Sequence, residues 1–192
     1  MKVNDKKVLD YVYVTNVIPK NICKEIIDSI NKRDWEKHKW YDYGANTMKS
    51  EDSKELDVQA ITAEMQQSMT PFLIKSYQEY NNKFADTRNT RLAQLATKFS
   101  PIRFNRYEKG TLMRMHYDHI HSLFDGQHKG IPVLSFVGCL NEGFTGGDFI
   151  ICEKKLKLKT GDIIIFPSCF MFPHAVTELK KGTRYSFVSW AF

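Results

Sequence analysis

From residue 102 to the C-terminus the chain breaks into short apolar runs, and this rhythm restricts the possible folds more than any other feature. The runs are "IRFNRY", "MRMHYD", "PVLSFVGCL", "GDFII", "LKLK", "GDIIIFP" and "RYSFVSWAF", parted by "EKG", "NEGFTGG" and "KTGD". Such runs, rich in β-branched and aromatic residues and too short for helices, predict strands. Strands joined at short intervals by glycine-containing turns predict a barrel or sandwich of mostly antiparallel sheet.

The preceding hundred residues read differently. "YVYVTNVIP", from Tyr11 to Pro19, predicts a strand ended by proline, and "NICKEIIDSINKR" then places Ile22, Ile26 and Ile30 on one helical stripe. "WEKHKWYDYGANTMKSEDS" predicts a strand running into a polar, glycine-containing loop from about Tyr43 to Ser53, suited to closing over a substrate. Val58, Ile61, Met65, Met69, Leu73 and Tyr77 recur every three or four residues and predict an amphipathic helix from about Ser53 to Tyr80, which Pro71 should kink or split. There is no internal repeat and no second boundary. The expectation is therefore one domain over 1–192, with a β/α support over about 1–100 and a β-rich core over about 101–192.

Composition narrows the setting. The opening residues lack a hydrophobic stretch of signal or membrane length, so a soluble, intracellular, cytoplasmic protein without membrane attachment is expected. Cys23, Cys139, Cys152 and Cys169 are far apart with no CxxC pair, which argues against a disulfide scaffold or zinc knuckle and for reduced, mostly buried thiols. The net charge of +6 is spread out rather than clustered with aromatics, so nucleic-acid binding has no support.

The chemistry concentrates in "RMHYDHIHSL", Arg114 to Leu123. On a strand, residues two apart project to the same side, so His116 and Asp118 point together while Tyr117 faces away. His174, which follows the apolar run "GDIIIFP", is the only histidine in the C-terminal strands and the natural third ligand. Two imidazoles and one carboxylate on one face of a metal leave adjacent positions open, as in non-haem Fe(II) oxygenases. A rival pair, His119 and His121 with Asp125 following, would suit a cupin-type barrel or a noncatalytic binding module. The first pair is favoured because the second lies nearer the expected loop "SLFDGQHKG". His38 and His128 sit in polar sequence and are expected at the surface. Arg184 follows His174 by ten residues, and a turn at "KKG" would bring it back beside the histidine. An arginine entering an apolar strand implies an anionic partner, which its planar fork can hold at two points.

"HYD", "GGDFII", "GDIIIFPS", His174 and "GTRYSFVSW" together resemble the Fe(II)- and 2-oxoglutarate-dependent dioxygenases, most closely the prolyl 4-hydroxylase-like branch. The resemblance covers about Ile102 to Phe192 and only loosely the N-terminal part. It implies a mainly β fold with supporting helices, the double-stranded β-helix or jelly roll. It also implies that His116, Asp118 and His174 hold Fe(II), that Arg184 binds the far carboxylate of 2-oxoglutarate, and that the Tyr107 hydroxyl reaches the same cosubstrate. O2 is the further cosubstrate, and ascorbate the reductant that keeps iron ferrous.

The implied activity is hydroxylation of a protein or peptide, at proline; a free amino acid or another residue type are the alternatives. Trp190, six residues after Arg184, stands where oxygen-sensing prolyl hydroxylases have a tryptophan near iron and where related nucleic-acid demethylases have an arginine, which makes a nucleic-acid substrate less expected. Collagen-type enzymes carry lysine in place of Arg184. Met113 stands where many members have tyrosine, and Gly138 and Cys139 replace a frequent tyrosine pair, so the inner pocket is expected to differ in shape.

Overall fold

The computed structural model describes residues 8–42, 44–50, 53–85, 96, 98–118 and 132–192. After a single 3-10 turn (Val8–Tyr11), the N-terminal part runs β1 (Tyr13–Asn16), α1 (Lys20–Ile30), β2 (Glu36–Lys37), β3 (Trp40–Asp42), β4 (Thr47–Lys49), β5 (Asp57–Ala60) and α2 (Ala63–Ala85). The remainder is strands: β6 (Arg103–Tyr107), β7 (Met113–His116), β8 (Leu134–Cys139), β9 (Thr145–Gly146), β10 (Phe149–Ile151), β11 (Lys154–Leu156), β12 (Asp162–Pro167), β13 (His174–Val176), β14 (Leu179–Lys181) and β15 (Arg184–Ala191).

Seven strands form one sheet in the order β1-β12-β8-β15-β6-β5-β2, and four form a second in the order β11-β10-β13-β7. The pairs β9 with β14 and β3 with β4 stand apart, and every pairing of named strands is antiparallel.

Period-two alternation divides the large sheet between two cores. Phe104, Phe136, Ile163, Ile165 and Phe187 pack on one face with Cys23, Ile26 and Ile30 of α1 and Met69, Leu73 and Tyr80 of α2. Tyr107, Val137, Ile164 and Phe166 pack on the other with Met113, Phe149, Ile151 and Val176 of the small sheet. The helices thus back the large sheet, and the space between the sheets is left for the site.

Several expectations need correcting. The apolar spacing from Val58 does not begin a helix: Asp57–Ala60 is a strand paired with Arg103–Arg106 of β6. The helix starts after Thr62, whose hydroxyl accepts the Met65 N–H at 3.2 Å and caps the first turn. Pro71 does not split it. Pro71 and Gln67, the carbonyl it leaves without a helical partner, both lie on the exposed face, where solvent can satisfy that oxygen. Within the loop expected over 43–53, residues 47–49 pair back on 40–42 as a hairpin, with Asn46 in the left-handed region at φ 49°. His38 is buried rather than exposed, its Nδ1 3.3 Å from Glu55 Oε2 and its ring edge-on to Trp40. Cys23 and Cys139 are buried free thiols, Cys152 and Cys169 partly buried ones. No helix among the described residues is long and apolar enough to cross a membrane.

Candidate active site

His116 closes β7, Asp118 lies two residues beyond it, and His174 opens β13. The ladder between these strands places His174 directly opposite His116. The imidazole centroids are 4.3 Å apart, and His116 Nε2 and His174 Nε2 lie 3.6 and 3.7 Å from the two oxygens of Asp118. One ligand atom from each of the three residues falls within 4.8 Å of the others.

Their surroundings prepare the donor atoms. His116 Nδ1 is 2.7 Å from the Arg114 carbonyl and His174 Nδ1 is 3.1 Å from the Phe172 carbonyl. A carbonyl accepts only from N–H, so each proton sits on Nδ1 and each Nε2 presents its lone pair inward. Burial, helped by the neighbouring His174 and opposed by Asp118, lowers the His116 pKa to about 4 and keeps that ring neutral. Ser135 donates to Asp118 Oδ2 at 2.6 Å and is itself 2.8 Å from the Ser168 hydroxyl. Trp40 packs edge-on to His116, while Phe149 and Phe166 flank His174. Two imidazoles that turn Nε2 inward and an anchored carboxylate, converging in an aromatic wall, fit a divalent ion of intermediate softness.

Arg184 is 2% exposed. It pairs in register with Tyr107 across the β15–β6 ladder, its guanidinium lies 4.9 Å from the Tyr107 ring centroid, and Nη1 donates to Ser186 at 2.9 Å. No carboxylate among the described residues forms an ion pair with it. Burial raises the Tyr107 pKa and the arginines Arg184 and Arg103 lower it, so the phenol is a neutral donor. The expected return of Arg184 beside His174 needs correction. His174 is in the small sheet and Arg184 in the large one, and Tyr107 connects their surroundings.

A cavity of about 30 Å³ lies between the sheets, walled by His116, Asp118, His174, Tyr107, Ser186 and Trp190 among others. A larger one, about 440 Å³, has Arg184 and Phe144 in its walls and shares Phe149 with the first. His119, His121, Asp125 and His128 lie outside the described residues.

Ser135, Ser168 and Arg103 escaped notice in the sequence. Arg103 had a signal, since "RFNRY" sets Arg103, Asn105 and Tyr107 at strand spacing, and all three line the small cavity.

Residues 102–192 match the family model described as the 2OG-Fe(II) oxygenase superfamily. A PKHD-type hydroxylase of Prochlorococcus marinus strain MIT 9515 is 39% identical over 87 residues, 42% of this chain and 38% of that protein. Another, from strain MIT 9301, is 29% identical over 177 residues, 88% of this chain and 71% of its own length. Several other curated relatives are matched over about 45% of their length. Among solved structures, the viral collagen prolyl hydroxylase of Paramecium Bursaria Chlorella virus-1, a 2OG complex, superposes with a TM-score of 0.66 at 16% identity, covering 99% of this chain and 98% of that one. The two sheets are accordingly those of the jelly-roll fold of 2OG oxygenases.

Proposed function

We infer, from the match of residues 102–192 to the 2OG-Fe(II) oxygenase superfamily model, that the chain is an Fe(II)- and 2-oxoglutarate-dependent dioxygenase that hydroxylates a protein or peptide, at proline. The observation that carries this reading is the convergence of His116, Asp118 and His174 within 4.8 Å. The proline preference rests on the names of structural neighbours, a viral collagen prolyl hydroxylase and a Pseudomonas putida prolyl-4-hydroxylase.

His116, Asp118 and His174 would hold Fe(II) from one side and leave adjacent positions for cosubstrate and O2. When bound, the iron with 2-oxoglutarate and O2 supplies the oxidation that converts C–H to C–OH. Arg184, buried without a carboxylate partner among the described residues, would fix the far end of 2-oxoglutarate in two-point fashion, and the Tyr107 hydroxyl would donate to the same molecule. Ser135 would hold Asp118 in place during turnover. Phe149 and Phe166 shield His174, which is buried, and Trp40 packs edge-on to His116.

The test is incubation with a panel of proline-containing peptides, Fe(II), 2-oxoglutarate, O2 and ascorbate, the last to keep iron reduced. Iron-dependent succinate and a peptide mass gain of one oxygen are expected, and both should vanish in Asp118→Ala and His174→Ala. Full activity in either variant would reject the assignment. Arg184→Ala should raise the KM for 2-oxoglutarate by roughly 30-fold, the loss of a buried charge-assisted pair.

A further inference from the structure

Arg103 carries a second positive charge to the cavity that holds the triad. It opens β6 and lines the cavity with Asn105 and Tyr107, while Phe104 between them packs toward the helices. Its Nε donates to Asn105 Oδ1 at 3.2 Å, and its guanidinium lies 5.8 Å from the Trp190 ring centroid. These contacts orient the fork but occupy neither terminal nitrogen. No carboxylate among the described residues forms an ion pair with it.

Arg106, three residues along the same strand and on its other face, makes the contrast. It is held by Asp57 at 2.9 and 3.1 Å and stacks on Trp35. Arg106 has its counterion in Asp57, whereas the carboxylate that acts on Arg103 among the described residues is the trio's own Asp118, which forms no ion pair with it. The indole N–H of Trp190, in the same cavity wall, is also buried without an acceptor among the described residues.

Charge balance points the same way. With a divalent ion bound, two guanidinium groups and the ion outweigh Asp118, the one carboxylate among the described residues that line this cavity. A dicarboxylate cosubstrate on Arg184 offsets most of that excess, and one further carboxylate completes it. A planar guanidinium with two free N–H-bearing nitrogens is the matching receptor.

We propose that Arg103 is a specificity-determining residue that receives a carboxylate of the molecule being oxidised. The substrate class is then one with a carboxylate close to the target carbon: a free amino acid, a peptide C-terminus or an acidic side chain. This rests on the dioxygenase reading above and narrows its substrate.

The experiment measures binding, by calorimetry without O2, to the protein loaded with Fe(II) and 2-oxoglutarate. The probes are acid and amide pairs: L-proline with L-prolinamide, an N-acetylated peptide ending in free or amidated proline, and end-capped peptides carrying Asp or Asn beside proline. In at least one pair the acid should bind about 30-fold tighter than its amide. In Arg103→Met that preference should fall below about threefold, and Arg103→Gln is run beside it so that misfolding of one variant leaves the other. Which pair responds identifies the source of the carboxylate.

Equal binding of acid and amide in every pair would overturn the proposal, as would a preference that survives in both variants. Loss of 2-oxoglutarate affinity of the same size in the variants would move Arg103 to the cosubstrate and also overturn it. Succinate formation by the wild-type protein separates the two levels. If it is absent the dioxygenase reading fails, and if it is present without acid preference only the Arg103 assignment fails.

Discussion

Ser135 shows how much of the site's behaviour depends on single atoms behind the proposed metal-binding trio. Its hydroxyl holds Asp118 Oδ2, the oxygen that faces His174, and leaves Oδ1 facing His116. Outer hydrogen bonds of this kind typically contribute 10- to 100-fold to metal affinity. Ser135→Ala should therefore weaken Fe(II) or Co(II) binding by about tenfold, read by metal titration, with the fold intact. Protonation is the other single-atom control. Burial first, and His174 second, lower the folded pKa of His116 to about 4, against an ordinary value of 6.5. As pH falls below about 6.5 the unfolded chain takes up a proton that the folded chain refuses until about pH 4, so the metal-free protein loses stability across that window. The loss at pH 5 from His116 is on the order of 2 kcal/mol. Denaturant unfolding at pH 7.5 and pH 5 should show it, and His116→Asn should reduce the difference.

At the scale of elements, ladder register decides which side chains meet. Gly138 on β8 lies opposite Phe187 of β15, and a Cβ at position 138 would fall 1.9 Å from the Phe187 ring. The departure from tyrosine at this position thus makes room for Phe187 in the core shared with the helices. Gly138→Ala should destabilise by about 1–3 kcal/mol through overpacking, measured by chemical denaturation. The long C-terminal strands were legible because each is a continuous apolar run bounded by turn residues. β13 was not, since "HAV" is three residues long after a proline, and only its partners β10 and β7 make it a strand. The Val58 segment was misread for a related reason. Spacings of three and four fit Val58 and Ile61 as well as they fit α2, and what makes residues 57–60 extended is hydrogen bonding to β6, forty-six residues away in sequence.

For the whole molecule, binding and folding are linked because the site spans both sheets. The proposed metal ligands lie on or just beyond β7 and on β13 in one sheet, and Arg184, proposed to hold the far end of the cosubstrate, lies on β15 in the other. Fe(II) and 2-oxoglutarate together should therefore tie the sheets to each other. At about 100 times its dissociation constant a ligand adds about 2.7 kcal/mol, which for a chain of this size raises the melting temperature by roughly 5–10 °C. Thermal denaturation should show this rise in the wild-type protein and none in His174→Ala.

Local order was settled by the residues alone. Strand rhythm, the HxD spacing that sends His116 and Asp118 to one side, and the stripe of α1 all follow from near neighbours and the geometry of the backbone. Counterion and burial were settled only by the assembled molecule. Nothing near Arg103 or Arg106 in the sequence distinguishes a guanidinium satisfied by Asp57 from one left facing the cavity, and nothing near His38 announces its burial against Glu55. Those outcomes depend on which distant segment packs alongside, since the electrostatic environment of a charge is set by everything within a few ångströms in space, whatever its distance along the chain.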